Sequence, residues 1–436
     1  MTVIVNPTAS TNGTGSLISP KNTWAGLTWT AGETYLQVEG TTFAGTIAPS
    51  SGGSSVAPIT IGVCEAQTGN RVVGLGLAKI NAAGQNYGLS LANGVNYVNV
   101  DSLEFVNALQ RGMARIITGN DPAADSFCQF VLCHVHDCIN PGVVNNGISM
   151  YGKGNKILSC EIHDVGVDGI YANSDDIEIA YNRIYRVDRD ASIGTGDGIQ
   201  LDNSDNPRIH HNYLEKDTLE KQCTIVQNGA GGEFYCNRVI APAYVSGGSS
   251  PVTAVYLGNT DMRIYSNVID GGRYGLWCDG AGSRILANII RLFGSGVLAG
   301  IAIRANNLVV AHNAIIGEGY GYGMNHHTYT GVGVHNNIIV NALYGLQTAS
   351  SGVTENGNLF HLCGTNHVDL SNVAKAVGAL DIAANPQFFD PSRPWLGLAP
   401  SSPCRGAGAY VQGARDRFGR RYAERNIGPW ASLGRS

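Results

Sequence analysis

Ile179-Ala180-Tyr181-Asn182-Arg183-Ile184 is one copy of a phrase that recurs down the chain: an apolar residue, two variable residues, Asn, any residue, an aliphatic. It returns as Ile209-His210-His211-Asn212-Tyr213-Leu214 and as Ile264-Tyr265-Ser266-Asn267-Val268-Ile269. Asn237, Asn288, Asn313, Asn337 and Asn358 complete the series, with successive gaps from Asn182 of 30, 25, 30, 21, 25, 24 and 21 residues. Upstream, Cys133 and Cys160 hold the same place in Cys133-His134-Val135-His136-Asp137 and Cys160-Glu161-Ile162-His163-Asp164. A second marker keeps step with the first. Gly followed by an apolar residue occurs at Gly147, Gly169, Gly198, Gly275, Gly300, Gly323 and Gly345, and Thr224 and Ala254 fill the two missing places. Two markers advancing together are the signature of a stacked repeat.

Period-two alternation within each repeat makes short strands. A repeat this short cannot bury its own apolar face, so it must stack on its neighbours, and both ends need covers. The chain therefore reads as all-β: a single right-handed parallel β-helix of about 10–12 coils. The expected layout is an opening coil and cap over 1–60, a β-helix body over 61–380 and a closing segment over 381–436. Ile148, Ile170, Ile199, Ile225, Val255, Leu276 and Ile301 form the expected inward column. Asn is expected at a bend because it tolerates a left-handed backbone and its amide can bond the Asn above and below.

Composition agrees. A length of 436 residues would suggest two or three domains, but 58 glycines are spread along the chain rather than gathered into linkers. Charged residues are only 14 %, too few for amphipathic helices. A net charge of −5 offers no basic face for nucleic acid. The basic stretch from Arg405 to Arg435 reads as a solvated cap surface. No secretory leader follows Met1, and no run reaches transmembrane length, so folding in the cytoplasm without membrane insertion is expected. Several of the ten cysteines stand where other repeats place Asn or an aliphatic, and the ten read as reduced core residues rather than a disulfide framework.

Over nearly its whole length the chain resembles the pectate-lyase-like β-helix superfamily. Val3-Ile4-Val5-Asn6-Pro7, Trp24-Ala25-Gly26-Leu27 and Ala31-Gly32-Glu33-Thr34-Tyr35-Leu36 are similar to the opening coil of such proteins. Asn385-Pro386, Ser402-Pro403-Cys404 and Asn426-Ile427-Gly428 resemble their closing segment. Within that superfamily the chain resembles the tailspike-type polysaccharide depolymerases of bacteriophages, although no separate N-terminal particle-binding domain is evident. The likeness implies a polysaccharide partner, a homotrimer, and a place on a virion tail or outside the cell after lysis. It implies no single chemistry, because the superfamily hosts lyases, hydrolases, epimerases and plain binders.

Stacking turns registers into columns whose members lie about 4.8 Å apart. Just before the Gly marker stand Asn146, Asp168, Asp197, Cys223, Thr253, Tyr274, Ala299, Tyr322 and Tyr344. Two places after it come Ser149, Tyr171, Gln200, Val226, Tyr256, Trp277, Ala302 and Asn325. Four places after it come Tyr151, Asn173, Asp202, Asn228, Gly258, Asp279, Arg304 and His327. Alternation points the last two sets outward. Aromatic faces stack on sugar rings while amides and carboxylates bond the hydroxyls. Asp168 and Asp197, one coil apart, form an acid–base or acid–nucleophile pair, at a spacing nearer retaining than inverting hydrolysis. The bland alternative is that they bond turn amides. Asp202 is expected to bulge from a one-residue insertion.

A further outward column holds His136, His163, Tyr185, Glu215, Ile240 and Asp270. Glu215 is a reserve acid or base, and His136 and His163 could hold a metal with Asp137 and Asp164. His326 should face inward and His327 outward. The ordered Asn-Thr-Asp, Asp-Asp, Gly-His-Gly and Arg-Ile-Lys series of polygalacturonases is absent. A lyase would use calcium on Asp168, Asp197 and Asp202 with Arg208 or Arg304 as base; otherwise no cofactor is expected. The reading is a carbohydrate-active protein that cleaves a bacterial surface or capsular polysaccharide, by hydrolysis in preference to β-elimination. Asp168, Asp197, Asp202 and Glu215 are the catalytic candidates. Tyr171, Gln200, Tyr256, Trp277, Asp279, Arg304 and His327 are the substrate-binding ones. A non-catalytic receptor-binding or structural tail protein, and a polyuronate epimerase, are the alternatives.

Overall fold

A computed structural model describes residues 1–190, 192–193, 196–217, 222–243, 253–349, 352–376, 378–388, 398–408 and 427–429. Asn426 and the basic stretch after Arg405 lie outside the described residues. The chain is all-β, with three parallel sheets and about 13 turns. The stack begins early, because Thr2–Val5 already pairs with Thr34–Val38 as a sheet strand. Among the described residues there is no α-helix, and no helix is long and apolar enough to cross a membrane.

Two compact units, Met1–Arg208 and Ile209–Ser436, are built from the same coil. In the first, Lys156–Leu158 belongs to a first sheet, Glu161–Val165 to a second and Ile170–Asn173 to a third. Glu178–Ala180 then returns beside Lys156–Leu158. Register brings Ile157 beside Ile179, Ile162 beside Ile184 and Ile170 beside Ile199. In the second unit the inward column of the third sheet runs Val255, Leu276, Ile301, Met324 and Leu346, all without solvent exposure. Each coil thus buries its aliphatics only against the coils beside it.

The bend before each second-sheet strand is left-handed, but the residue that adopts it precedes the Asn. Tyr181, His211, Cys236, Ser266, Ala287 and His312 have φ between 54° and 61° there. The asparagines instead form a buried ladder. From Asn212 through Asn237, Asn267, Asn288, Asn313 and Asn337 to Asn358, each backbone N–H and side-chain amide donates to the next Oδ1, at 2.9–3.1 Å. Asp381 ends the ladder by accepting the Asn358 N–H.

The glycine marker has a steric cause. A Cβ on Gly169 would lie 2.5 Å from Ile184 Cγ2, and one on Gly300 would lie 2.5 Å from Ile315 Cγ2. The third-sheet strand passes the second sheet so closely there that a side chain fits only if its neighbours shift. In the coil around 224 this slot is filled by Cys223, not Thr224. Thr224 pairs with Val255, and Ile225 with Tyr256. Thr224 and Val226 are therefore buried and Ile225 is half-exposed, one place off the expected columns, and Gln227 replaces Asn228 in the outer one.

The one-residue insertion is Asn203 and not Asp202. Asp202 is the last residue of the strand Ile199–Asp202, in register after Leu201. Asn203 takes φ 48°, and Ser204 then resumes the stack by accepting the Ser174 N–H. All ten cysteines are free thiols, eight of them buried. The closing segment covers an apolar outer column of the second sheet. Cys404 and Ile427 pack on Ile289, Ala314, Ile338 and Leu359.

Candidate functional site

The third sheet carries a polar patch in each unit. In the second unit, Tyr256, Trp277 and Ala302 share one register, so their Cα atoms step along the stack. The Tyr256 hydroxyl donates to Asp279 Oδ2 at 2.8 Å, and Trp277 Nε1 donates to Asp279 Oδ1 at 2.6 Å. The Arg304 guanidinium carbon lies 4.8 Å from the centre of the Trp277 ring, a cation–π contact. Tyr274 meets the same indole edge-on at 4.7 Å. Burial, then the Asp279 carboxylate, pushes the Tyr256 phenol up, so it stays a donor. His327 is exposed, and burial of its ring together with the nearby Arg304 charge lowers its pKa. Arg304 Nε is buried without a partner among the described residues. His326 is buried, with Nε2 2.9 Å from the Tyr329 carbonyl.

In the first unit, Asp202 is half-buried and takes a hydrogen bond from Gln200 Nε2 at 2.9 Å. Tyr171 stands beside Gln200 in register. Burial first, and the Asp202 charge second, raise the Tyr171 phenol. Asp168 and Asp197 are stacked as expected, but each is only 3 % exposed. Asp168 Oδ1 accepts the Asp197 backbone N–H at 2.9 Å, and Asn146 Oδ1 accepts that of Asp168 at 3.3 Å. The pair thus extends an amide ladder along this corner. Alternation gives the face but not the depth: Ser149, Tyr151, Asn173, Ala302 and Asn325 are all buried under neighbouring side chains. Glu215, on the second sheet of its unit, accepts the Tyr213 hydroxyl at 2.7 Å and stands apart from the third-sheet patch.

No protein-family model matches the chain, and no curated protein does. Among solved structures it is similar to an alginate lyase, AlyF-OU02, at 12 % identity and TM-score 0.56, covering 92 % of this chain and 90 % of that one. It is similar to XylC bound to xylose at 11 % identity and TM-score 0.52, covering 99 % and 98 %. The Dettilon tailspike protein also matches, at 12 % identity and TM-score 0.43 over 81 % of this chain and 62 % of its own. The fold is the pectate-lyase-like parallel β-helix. At such identities the likeness is one of fold.

The third-sheet column of this fold extends further upstream than the marker series beginning at Gly147. Arg111 pairs with Tyr87 and with Asn146, and Arg111 Nε donates to Ser149 Oγ at 2.8 Å. Gly88-Leu89 and Gly112-Met113 were the signal for it: both repeat the Gly-apolar marker, and a Cβ on Gly112 would lie 2.2 Å from Val135 Cγ1.

Proposed function

We propose that the chain binds a bacterial surface or capsular polysaccharide on the outer face of its third sheet and cleaves it there, as a tailspike-type depolymerase acting outside the cell that makes it. The observation that carries the reading is the patch of Tyr256, Trp277, Asp279 and Arg304. Asp279 fixes both rings through their polar ends, and the guanidinium covers the indole. Such a patch offers aromatic surface to a pyranose face and charged donors to its hydroxyl or acidic groups without reorganising. Asp202 is the proposed reacting carboxylate, because it is the third-sheet acid candidate of its unit that reaches the surface while Gln200 holds it in place. Hydrolysis is preferred to elimination. The burial of Asp168 and Asp197 favours one alternative specifically, a protein that binds the polymer without cutting it.

Polysaccharides from a panel of bacterial hosts separate these readings. Reducing ends released without unsaturated-uronate absorbance indicate hydrolysis, both signals indicate elimination, and binding with neither indicates a receptor. Asp202→Asn is expected to lose cleavage by about a hundredfold or more while retaining binding. Undiminished cleavage by that variant removes Asp202 from the chemistry.

A further inference from the structure

On the second sheet of the first unit, away from the third-sheet patch, imidazoles and a carboxylate converge. Two outward columns run side by side there. One holds Lys79, Glu104, His134, Glu161 and Arg183; the other holds Asn81, Val106, His136, His163 and Tyr185. The His136 and His163 rings stack at 5.0 Å, and His134 lies 4.3 Å from His136 between centroids. One donor atom from each of Glu104, His134 and His136 lies within 4.8 Å of the other two. All three side chains are half-buried. His163 Nε2 faces His134 Nε2 at 2.9 Å.

Asp137 Oδ2 lies 2.8 Å from His136 Nδ1, and Glu104 Oε1 lies 3.0 Å from His136 Nε2. With Nδ1–H donated to Asp137, the Nε2 lone pair and the Glu104 oxygen converge where one cation would take both. Lys79 Nζ, 2.9 Å from the same oxygen, supplies a positive charge beside the carboxylate. Asp164 stands behind His163 Nδ1 at 2.7 Å, shared with Arg186. The carboxylates behind Nδ1 of His136 and of His163 are placed as those that orient metal-bound histidines.

We propose that Glu104, His134 and His136 bind one zinc-class divalent ion, with His163 packed beside His134 and Asp137 as the carboxylate that orients the His136 ring. Two imidazoles and a carboxylate suit zinc better than calcium, whose ligands are oxygens. The ion ties the coil carrying Glu104 to the one carrying His134 and His136, so its role is to staple the stack. The site is independent of the polysaccharide reading.

The test uses the full chain, stripped with a chelator and titrated with zinc by calorimetry and with cobalt by visible absorbance. One equivalent of zinc, a thermal midpoint that rises with zinc, and a tetrahedral cobalt spectrum are expected. Glu104→Gln and His136→Gln should each weaken zinc binding by about tenfold or more. His361→Gln, on the second sheet of the other unit, should leave it unchanged. Absence of uptake by the wild-type chain at micromolar zinc overturns the site, as does an octahedral cobalt spectrum. So does equal zinc binding by the two variants, or equal loss in His361→Gln.

Discussion

His367 is a buried imidazole clasped by two acids. Its ring nitrogens lie 2.9 Å from Glu355 Oε2 and 3.3 Å from Asp381 Oδ2, close enough for ion pairs though not aligned as hydrogen bonds. Burial pushes its pKa down, but Asp381 and then Glu355 outweigh burial and carry it up to about 9. The folded chain therefore keeps a proton that the unfolded chain releases near pH ~6.5. The resulting stability is full below that pH and is lost as pH rises through about 9. Thermal midpoints of the native chain should fall between pH 7 and pH 10 by more than those of His367→Gln. Equal slopes would show that the triad does not hold the proton. Asp381 also ends the asparagine ladder, so this charge cluster sits where the last amide donor would otherwise be orphaned.

Within a single strand, register decides which face each side chain takes, and a slip of one residue inverts it. Ile225 is half-exposed and Val226 has no exposure, the reverse of the faces they would take with Thr224 in the glycine slot. Val226→Asp should cost about 4 kcal/mol or more and reduce soluble yield, while Ile225→Asp should cost under about 1 kcal/mol, read from urea midpoints. The opposite ranking would restore the other register. The repeat, the sheets and the in-phase columns were legible because Asn and Gly each answer a hard constraint, an amide ladder and a missing Cβ. The slip at 223 was not legible because Cys and Ala meet the steric limit nearly as well as Gly, erasing the marker where it was needed. The acids were legible by type and face but not by depth. For Asp168 the bland alternative is the one found, since its carboxylate takes a corner amide one coil away, and the letters alone did not choose it over a reactive pair. Asp279 was placed correctly, yet its grip on Tyr256 and Trp277 depends on rotamers that spacing does not specify.

At the scale of the whole chain, stability comes from neighbouring coils rather than from one central core, so faces left apolar need a dedicated cover. The column of Ile289, Ala314, Ile338 and Leu359 has such a cover in the segment bearing Cys404 and Ile427. Ile427→Asp should lower stability by about 3 kcal/mol and increase binding of a hydrophobic dye. No change in either would mean that the segment is dispensable there. Carbohydrate recognition makes a different demand on the molecule, a rigid outer face whose aromatic and charged groups are already positioned. The affinity of folded Trp277→Ala for the polysaccharide that the native chain recognises, measured by calorimetry, puts that demand to the most direct trial. A drop of about tenfold, roughly 1.4 kcal/mol, is the expected result; an affinity equal to that of the native chain would contradict a sugar-binding face on the third sheet.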